Sequence, residues 1–245
     1  MRLSNEQKAF YADHGYLAVE NVIPEPVIDA MRDRLDQLCQ EWDSEPAKRV
    51  GVVQEADLAG SATMQQTAQT VRKFYKLVHH EPLFRVHATS KLLVDMVADL
   101  IGRPICLYDD QALLKPPMVG SKKEPHQDNA YFQVEPADAV ITCWCALDDA
   151  TLDNGCMYYF PGAHKRGLVE HESIPGTPHL VPKGLDENEA VAVPIRAGGL
   201  IFHHALALHF SPTNKSDRWR RAFVCHYARS DARMPKQDSE YLLPL

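Results

Sequence analysis

Apolar residues recur along this chain with two different periods, and the changeover falls near residue 102. Before it the spacing is helical. Residues 4 to 14 predict a first helix, with Ser4 as its cap and Gln7 three residues on, in the capping-box position. The segment Gly15 to Ile23 is β-like. Pro24 and Pro26 then open a second helix, on which Val27, Ile28, Met31, Leu35 and Leu38 share a face. Residues 44 to 70 are polar and irregular. A further helix runs near Ser90 to Ile101, with Leu92, Leu93, Val97 and Leu100 on one side and Gly102 as its stop.

Beyond Gly102, short apolar runs alternate with turn residues: ICLYDDQALL, DAVITCWCALDDA, GCMYYFPGAH, AVAVPIRAGG, GLIFHHALALHF and WRRAFVCHYAR. Pro and Gly punctuate nearly every gap, which indicates a sandwich or barrel. The pattern predicts an α+β chain: a helical part (about 1–101) packed on an antiparallel β-core (about 102–230). With no repeat and no separating linker, residues 1–245 read as a single domain, and 231–245 as a loosely held tail.

Composition narrows the class. At 45% hydrophobic, the 245 residues are too apolar for a disordered chain. A net charge of −7 argues against nucleic acid as a partner, because phosphates need a basic stripe. No stretch approaches the ~20 apolar residues that span a bilayer, and the N-terminus lacks a secretory pattern. The expectation is a cytoplasmic protein with no membrane contact, a monomer or homodimer. The six cysteines form no CxxC pair and read as reduced, buried thiols.

Twelve histidines are the unusual feature, since imidazole suits metals and proton transfer. His126 and Asp128 lie two apart, so an extended backbone points both to one face. By itself that pair is a common accident; His79 and Glu81 have the same spacing just before Pro82. One more histidine from a distant strand would complete a 2-His-1-carboxylate triad with open positions on Fe(II). His209 ends an apolar run. If SPTNKSDR is a hairpin turn centred between Asn214 and Lys215, His209 lies opposite Arg220, and Arg220, Ala222, Val224 and His226 face inward beside it. An arginine inside a barrel needs an anionic partner, and its fork fits a carboxylate. Arg218 and Arg221 read as solvated, as does the pair Lys122 and Lys123. Alternation places His203 on the face of His209 and His204 on the other. A structural hydrogen bond is the expected role of both. His14, His87, His164, His171 and His179 read as surface or loop residues.

In that order of motifs the sequence resembles the phytanoyl-CoA dioxygenase (PhyH) family of Fe(II)/2-oxoglutarate-dependent oxygenases. Four stretches carry the resemblance: LSNEQKAFYADHGYLAVENVI, LLKPP with PHQDNAYF, ALDDATLDNGCMYYFPGAHKRG, and GLIFHHALALHFSPTNKSDRWRRAFVCHY. The resemblance implies a double-stranded β-helix, a jelly-roll or cupin-like barrel. It implies His126, Asp128 and His209 as iron ligands and Arg220 as the clamp on the distal carboxylate of 2-oxoglutarate. Ser211 matches a position that helps hold that carboxylate. Trp144 matches an aromatic position near the cosubstrate, Gln111 lies on a strand that lines it, and Thr142 shares the strand face of Trp144. The implied reaction hydroxylates a small-molecule substrate with O₂ and releases succinate and CO₂. The acid at position 128 argues against halogenation. Two alternatives stand: a cupin-like metal enzyme that does not use 2-oxoglutarate, and a non-catalytic ligand-binding barrel. The polar stretch Arg49 to Gln69 and the loop Glu170 to Glu189 are expected to cover the mouth of the site.

Overall fold

A computed structural model describes residues 2–55, 65–177, 179–236 and 239–245. Fourteen strands are present among them: β1 (Tyr16–Val19), β2 (Val52–Gln54), β3 (Val71–Tyr75), β4 (Ile105–Lys115), β5 (Lys123–His126), β6 (Val140–Ala146), β7 (Met157–Tyr159), β8 (His171–Ser173), β9 (Leu180–Pro182), β10 (Val191–Val193), β11 (Leu200–His204), β12 (His209–Ser211), β13 (Arg220–Arg229) and β14 (Leu243–Pro244). The main sheet runs β1-β11-β6-β13-β4-β3-β2, with β14 also pairing β4; a smaller sheet runs β10-β7-β12-β5. Every pairing is antiparallel. The two sheets face each other, and side chains from both meet in one cluster: Trp144, Ile201 and Val224 from the main sheet, Met157, Tyr159 and Val193 from the smaller one. The pairing of the described strands does not close into a continuous barrel.

The helices cover the other face of the main sheet. The helix Asn5–His14 is capped as its sequence predicts: Gln7 N donates to Ser4 Oγ at 3.2 Å and Ser4 N to Gln7 Oε1 at 2.8 Å. The helix Glu25–Gln40 buries Ile28, Met31, Leu35 and Leu38 completely. Ser90 caps Lys91–Ile101, and Gly102 ends it at φ 82°, a conformation that favours glycine. These residues join Cys143, Cys145, Phe202, Phe223, Cys225 and Tyr227 in the largest apolar cluster. All six cysteines are free and buried.

Several expectations change. The sheet does not begin at residue 102, because β1, β2 and β3 are drawn from the N-terminal part. Within the polar stretch 44–70, Ser44 caps a short helix, Glu45–Arg49, and β2 follows; residues 56–64 lie outside the described residues. The tail is tied down: Leu243 and Pro244 pair with Leu107 and Cys106, and Lys76 Nζ donates to Tyr241 Oη at 2.6 Å.

The largest correction concerns the run from His203 to Arg220. It is not one strand followed by a hairpin. β11 ends at His204, the chain turns at Ala205, and β12 restarts at His209 in the opposite sheet. His209 pairs with His126 and Tyr159, whereas Arg220 pairs with Lys115, so the two never share a ladder. The connecting loop is held by Asn214, fully buried, whose Nδ2 donates to the carbonyls of Lys115, Pro116 and Arg218. Arg221 is not solvated. Its guanidinium takes Asp148 in a two-pronged pair (2.8 and 3.0 Å) and Asp36 at 2.6 Å. Arg218 does stay exposed, paired with Asp153. His87 is buried against Phe223 rather than on the surface.

Candidate active site

β5 delivers His126 as its last residue. Gln127 stays extended (φ −109°, ψ 133°), so Asp128, the first residue of a short helix, turns to the same side. β12 places His209 directly beside His126, with ring centroids 4.2 Å apart. The ligand atoms of the three side chains lie within 4.8 Å of one another, and all three residues are buried. Asp128 Oδ1 is 3.5 Å from His126 Nε2 and 3.8 Å from His209 Nε2.

Each imidazole is oriented by its own backbone. His126 Nδ1 lies 2.8 Å from the carbonyl of Glu124, and His209 Nδ1 lies 3.0 Å from that of Ala207. A carbonyl only accepts, so the ring proton sits on Nδ1 and the Nε2 lone pairs converge with Asp128 Oδ1. Burial lowers His126 to about 4 and His209 well below the ordinary value, which keeps both rings neutral. Burial alone would raise Asp128, yet the hydrogen bond from His203 and the surrounding imidazoles hold it well below the usual carboxylate range. Two neutral imidazoles and one carboxylate form a donor set that suits a divalent transition metal with positions left open.

The other sequence candidates divide into two groups. Arg220 and Trp144 lie together on the inner face of the main sheet, with the guanidinium 5.6 Å from the indole centroid. Arg220 is 1% exposed, and among the described residues its Nε and Nη1 have no hydrogen-bond partner. Burial, with the Arg72 charge nearby, lowers Arg220 to about 9. Trp144 Nε1 is unpartnered in the same way. Ser211 is buried on β12, two residues from His209. Beside it, Lys115 Nζ donates to the carbonyls of Ser211 (3.2 Å) and Pro212 (2.7 Å). Gly155 makes room for this junction. At φ 87° it stands where a Cβ would meet the Pro212 oxygen at 2.4 Å.

Gln111 and Thr142 belong to a different group: they lead to Asp128. Gln111 Nε2 is 3.0 Å from His226 Nε2, His226 Nδ1 is 2.9 Å from Thr142 Oγ1, and Thr142 Oγ1 is 2.6 Å from Asp128 Oδ2. His203 Nε2 approaches the same oxygen at 3.1 Å, and its Nδ1 meets Tyr159 Oη at 2.8 Å. His204 points away, beside His164. Tyr159 was not foreseen from the sequence; GCMYYF shows only a strand, and the pairing of Tyr159 with His209 decides its place. Lys73, on β3 opposite Leu113, was not foreseen either; burial, with the Lys123 and Arg72 charges nearby, lowers it to about 7. Lys123 is not solvated either. Its Nζ lies 3.5 Å from Tyr131 Oη and 3.5 Å from His179 Nδ1, and burial lowers it to about 8.

The phytanoyl-CoA dioxygenase (PhyH) family model matches residues 11–222. The chain belongs to this family. A probable phytanoyl-CoA dioxygenase of Caenorhabditis elegans is 30% identical to this PhyH protein over 241 residues, covering 94% of this chain and 76% of its own. Two solved structures share the fold. The non-heme α-ketoglutarate-dependent carbocyclase SnoK from nogalamycin biosynthesis aligns with TM-score 0.75 at 23% identity, covering 99% of this chain and 96% of its own. EvdO2 from Micromonospora carbonacea, complexed with 2-oxoglutarate, aligns with TM-score 0.72 at 21% identity, covering 97% and 95%. Family and fold together support an iron- and 2-oxoglutarate-dependent oxygenase. Among the described residues of this PhyH chain no helix is long and apolar enough to cross a membrane.

Proposed function

We propose that this PhyH protein hydroxylates a small-molecule substrate, consuming 2-oxoglutarate and O₂ and releasing succinate and CO₂. The observation that carries the reading is Arg220. A buried guanidinium without a partner costs free energy unless an anion meets it. This one lies on the inner face of a sandwich that also holds a His-Asp-His cluster. A cosubstrate with an acid at each end would satisfy both.

In this reading His126 Nε2, His209 Nε2 and Asp128 Oδ1 hold Fe(II). The bound metal, with 2-oxoglutarate and O₂, supplies the oxidant that inserts oxygen into a C–H bond. The protein supplies position and dryness. Arg220, with Ser211, fixes the distal carboxylate, and Trp144 walls that pocket. β9, paired with β8, packs against β5, and Leu180 N donates to Tyr131 Oη at 2.9 Å, which supports a role for this loop beside the strand that bears His126. A cavity of about 530 Å³ is lined by Arg49, Tyr75, Lys76, Asp109 and Tyr241 among others. Its Tyr75 and Asp109 are the ladder partners of Gln111 and His226, so it adjoins the site from the side of β3 and β4 and is large enough for a small-molecule substrate.

The test is succinate formation with Fe(II), ascorbate, 2-oxoglutarate and a library of small acids, amines and thioesters. One substrate class should stimulate it. Arg220→Ala should weaken 2-oxoglutarate binding about 100-fold, the size of a lost charge-assisted bidentate contact, with metal affinity retained. Absence of any 2-oxoglutarate affinity in the Fe(II)-loaded protein would overturn the reading and leave the cupin-like alternative.

A further inference from the structure

The carboxylate of Asp128 has two oxygens, and the protein treats them differently. Oδ1 faces the ring nitrogens of His126 and His209 at 3.5 and 3.8 Å. Oδ2 faces Thr142 Oγ1 at 2.6 Å and His203 Nε2 at 3.1 Å. A carboxylate only accepts hydrogen bonds, so both neighbours of Oδ2 must donate. The direction of every other bond then follows. Thr142 spends its proton on Asp128, so it accepts from His226 Nδ1 at 2.9 Å. The Gln111 amide nitrogen only donates, so His226 Nε2 accepts from it at 3.0 Å. On the other side, Tyr159 Oη lies 2.8 Å from Nδ1 of the same His203 ring and fixes its orientation. Two lines of donors therefore end on one oxygen. All five contributing residues lie on strands of the two facing sheets: Gln111 on β4, Thr142 on β6, Tyr159 on β7, His203 on β11 and His226 on β13.

We propose that Thr142 and His203, backed by His226–Gln111 and by Tyr159, are positioning residues that lock the Asp128 carboxylate so that Oδ1 alone is offered to the metal. The proposal rests on the iron-site reading above and deepens it. Four interactions on one carboxylate (two donors, two ring neighbours) leave it no freedom to rotate, and rotation would present both oxygens to the metal and close an open position. His203 is the informative member. Its ring lies 4.4 Å from that of His209, near enough to be mistaken for a further ligand, yet its Nε2 is committed to Oδ2. A ligand-orienting partner of this kind is worth 10–100-fold in metal affinity.

The test measures Fe(II) affinity by competition with a chelator, and the visible spectrum of the Co(II)-substituted protein, for purified full-length variants of unchanged melting temperature. Thr142→Val keeps shape and removes the hydroxyl. It should weaken Fe(II) binding 10–100-fold and shift the Co(II) bands toward higher coordination number as Oδ2 turns to the metal. Thr142→Ser, which restores the donor, should return both readouts to wild type. His203→Gln can donate to Oδ2 and accept from Tyr159, so it should bind as wild type, whereas His203→Phe should weaken binding. Tyr159→Phe, which removes one oxygen atom, should have a smaller effect of the same sign. Because both lines end on one oxygen, the Thr142→Val/His203→Phe double variant should lose less than the product of the single losses. Wild-type Fe(II) affinity and an unshifted Co(II) spectrum in Thr142→Val and His203→Phe would overturn the proposal and leave the iron site intact. A wild-type protein that binds no Fe(II) would overturn both.

Discussion

The two faces of the main sheet are made of alternate residues of the same strands, and they are completed in opposite ways. On β13, Phe223, Cys225 and Tyr227 point toward the helices, while Arg220, Ala222, Val224 and His226 point toward the smaller sheet. On β6, Ile141, Cys143 and Cys145 oppose Thr142, Trp144 and Ala146. The helix-side face is finished by the protein: apolar groups meet apolar groups, and Tyr227 Oη finds the Ala88 carbonyl at 2.7 Å. The inner face is unfinished. Among the described residues Arg220 Nε and Nη1 and Trp144 Nε1 lack partners, and the ring nitrogens of His126 and His209 converge with Asp128 Oδ1 as a donor set. One face stores folding free energy; the other holds unsatisfied groups that ligands complete.

The comparison can be broken at its strongest point by mutating the helix-side face. Phe223 is fully buried, 4.8 Å from Phe84 and 5.7 Å from His87 by ring centroid. Phe223→Ala should cost about 3–5 kcal/mol in urea unfolding. Its folded fraction should bind Fe(II) and 2-oxoglutarate within twofold of wild type. A parallel loss of affinity would show that the faces are not separable.

The inner face should respond the other way. Arg220→Met replaces a buried cation, whose Nε and Nη1 have no partner among the described residues, by an apolar chain of similar length. Stability of the ligand-free protein should be unchanged or higher, because no intraprotein partner is stranded. Affinity for 2-oxoglutarate should fall about 100-fold. A loss of more than about 1 kcal/mol in the ligand-free protein would mean that Arg220 serves the fold, and the contrast between the faces would narrow.

The same contrast explains what could be read from the sequence. Helix-side positions obey hydrophobic periodicity, so the helix at Glu25 and its buried face were legible, and so was the helix at Lys91, although it buries Val94, Met96 and Ile101 where Leu92 and Leu100 were expected; the helix at Asn5 was legible from its capping box. β3 was not: its VRKFY puts Lys73 and Tyr75 on the rungs of Leu113 and Gln111, where polar side chains belong to the site, so apolar alternation does not mark it as a strand. The inward direction of Arg220 was inferred from a hairpin register opposite His209; that hairpin does not exist, and Arg220 faces the smaller sheet through its place on β13 beside Trp144. Period two survives a change of sheet; pairing partners do not. The break at Ala205, where His204 Nδ1 accepts from Leu206 N at 2.9 Å, carries no Pro or Gly to announce it. Thr142 and Gln111 were found for their strand face. Their common destination, Asp128, depends on how the sheets stack, which no local pattern encodes.

The smallest expected effect tests whether a titratable group on the helix-side face behaves as part of the core. His87 is 6% exposed, its Nε2 has no partner among the described residues, and burial lowers its pKa to about 4. Above pH 6.5 the ring is neutral folded or unfolded and contributes nothing to the pH dependence. Between pH 6.5 and 4 the unfolded chain takes a proton that the folded chain refuses, so stability falls as pH falls. The loss approaches about 2 kcal/mol at pH 5 for this group alone. His87→Phe keeps a ring beside Phe223 and removes the titration. The fall in unfolding free energy from pH 7 to pH 5 should shrink by about that amount, with little change at pH 8. An unchanged pH slope would mean that the helix Pro82–Ala88 opens to admit water around His87, and that the helix-side face is less completely finished than its packing indicates.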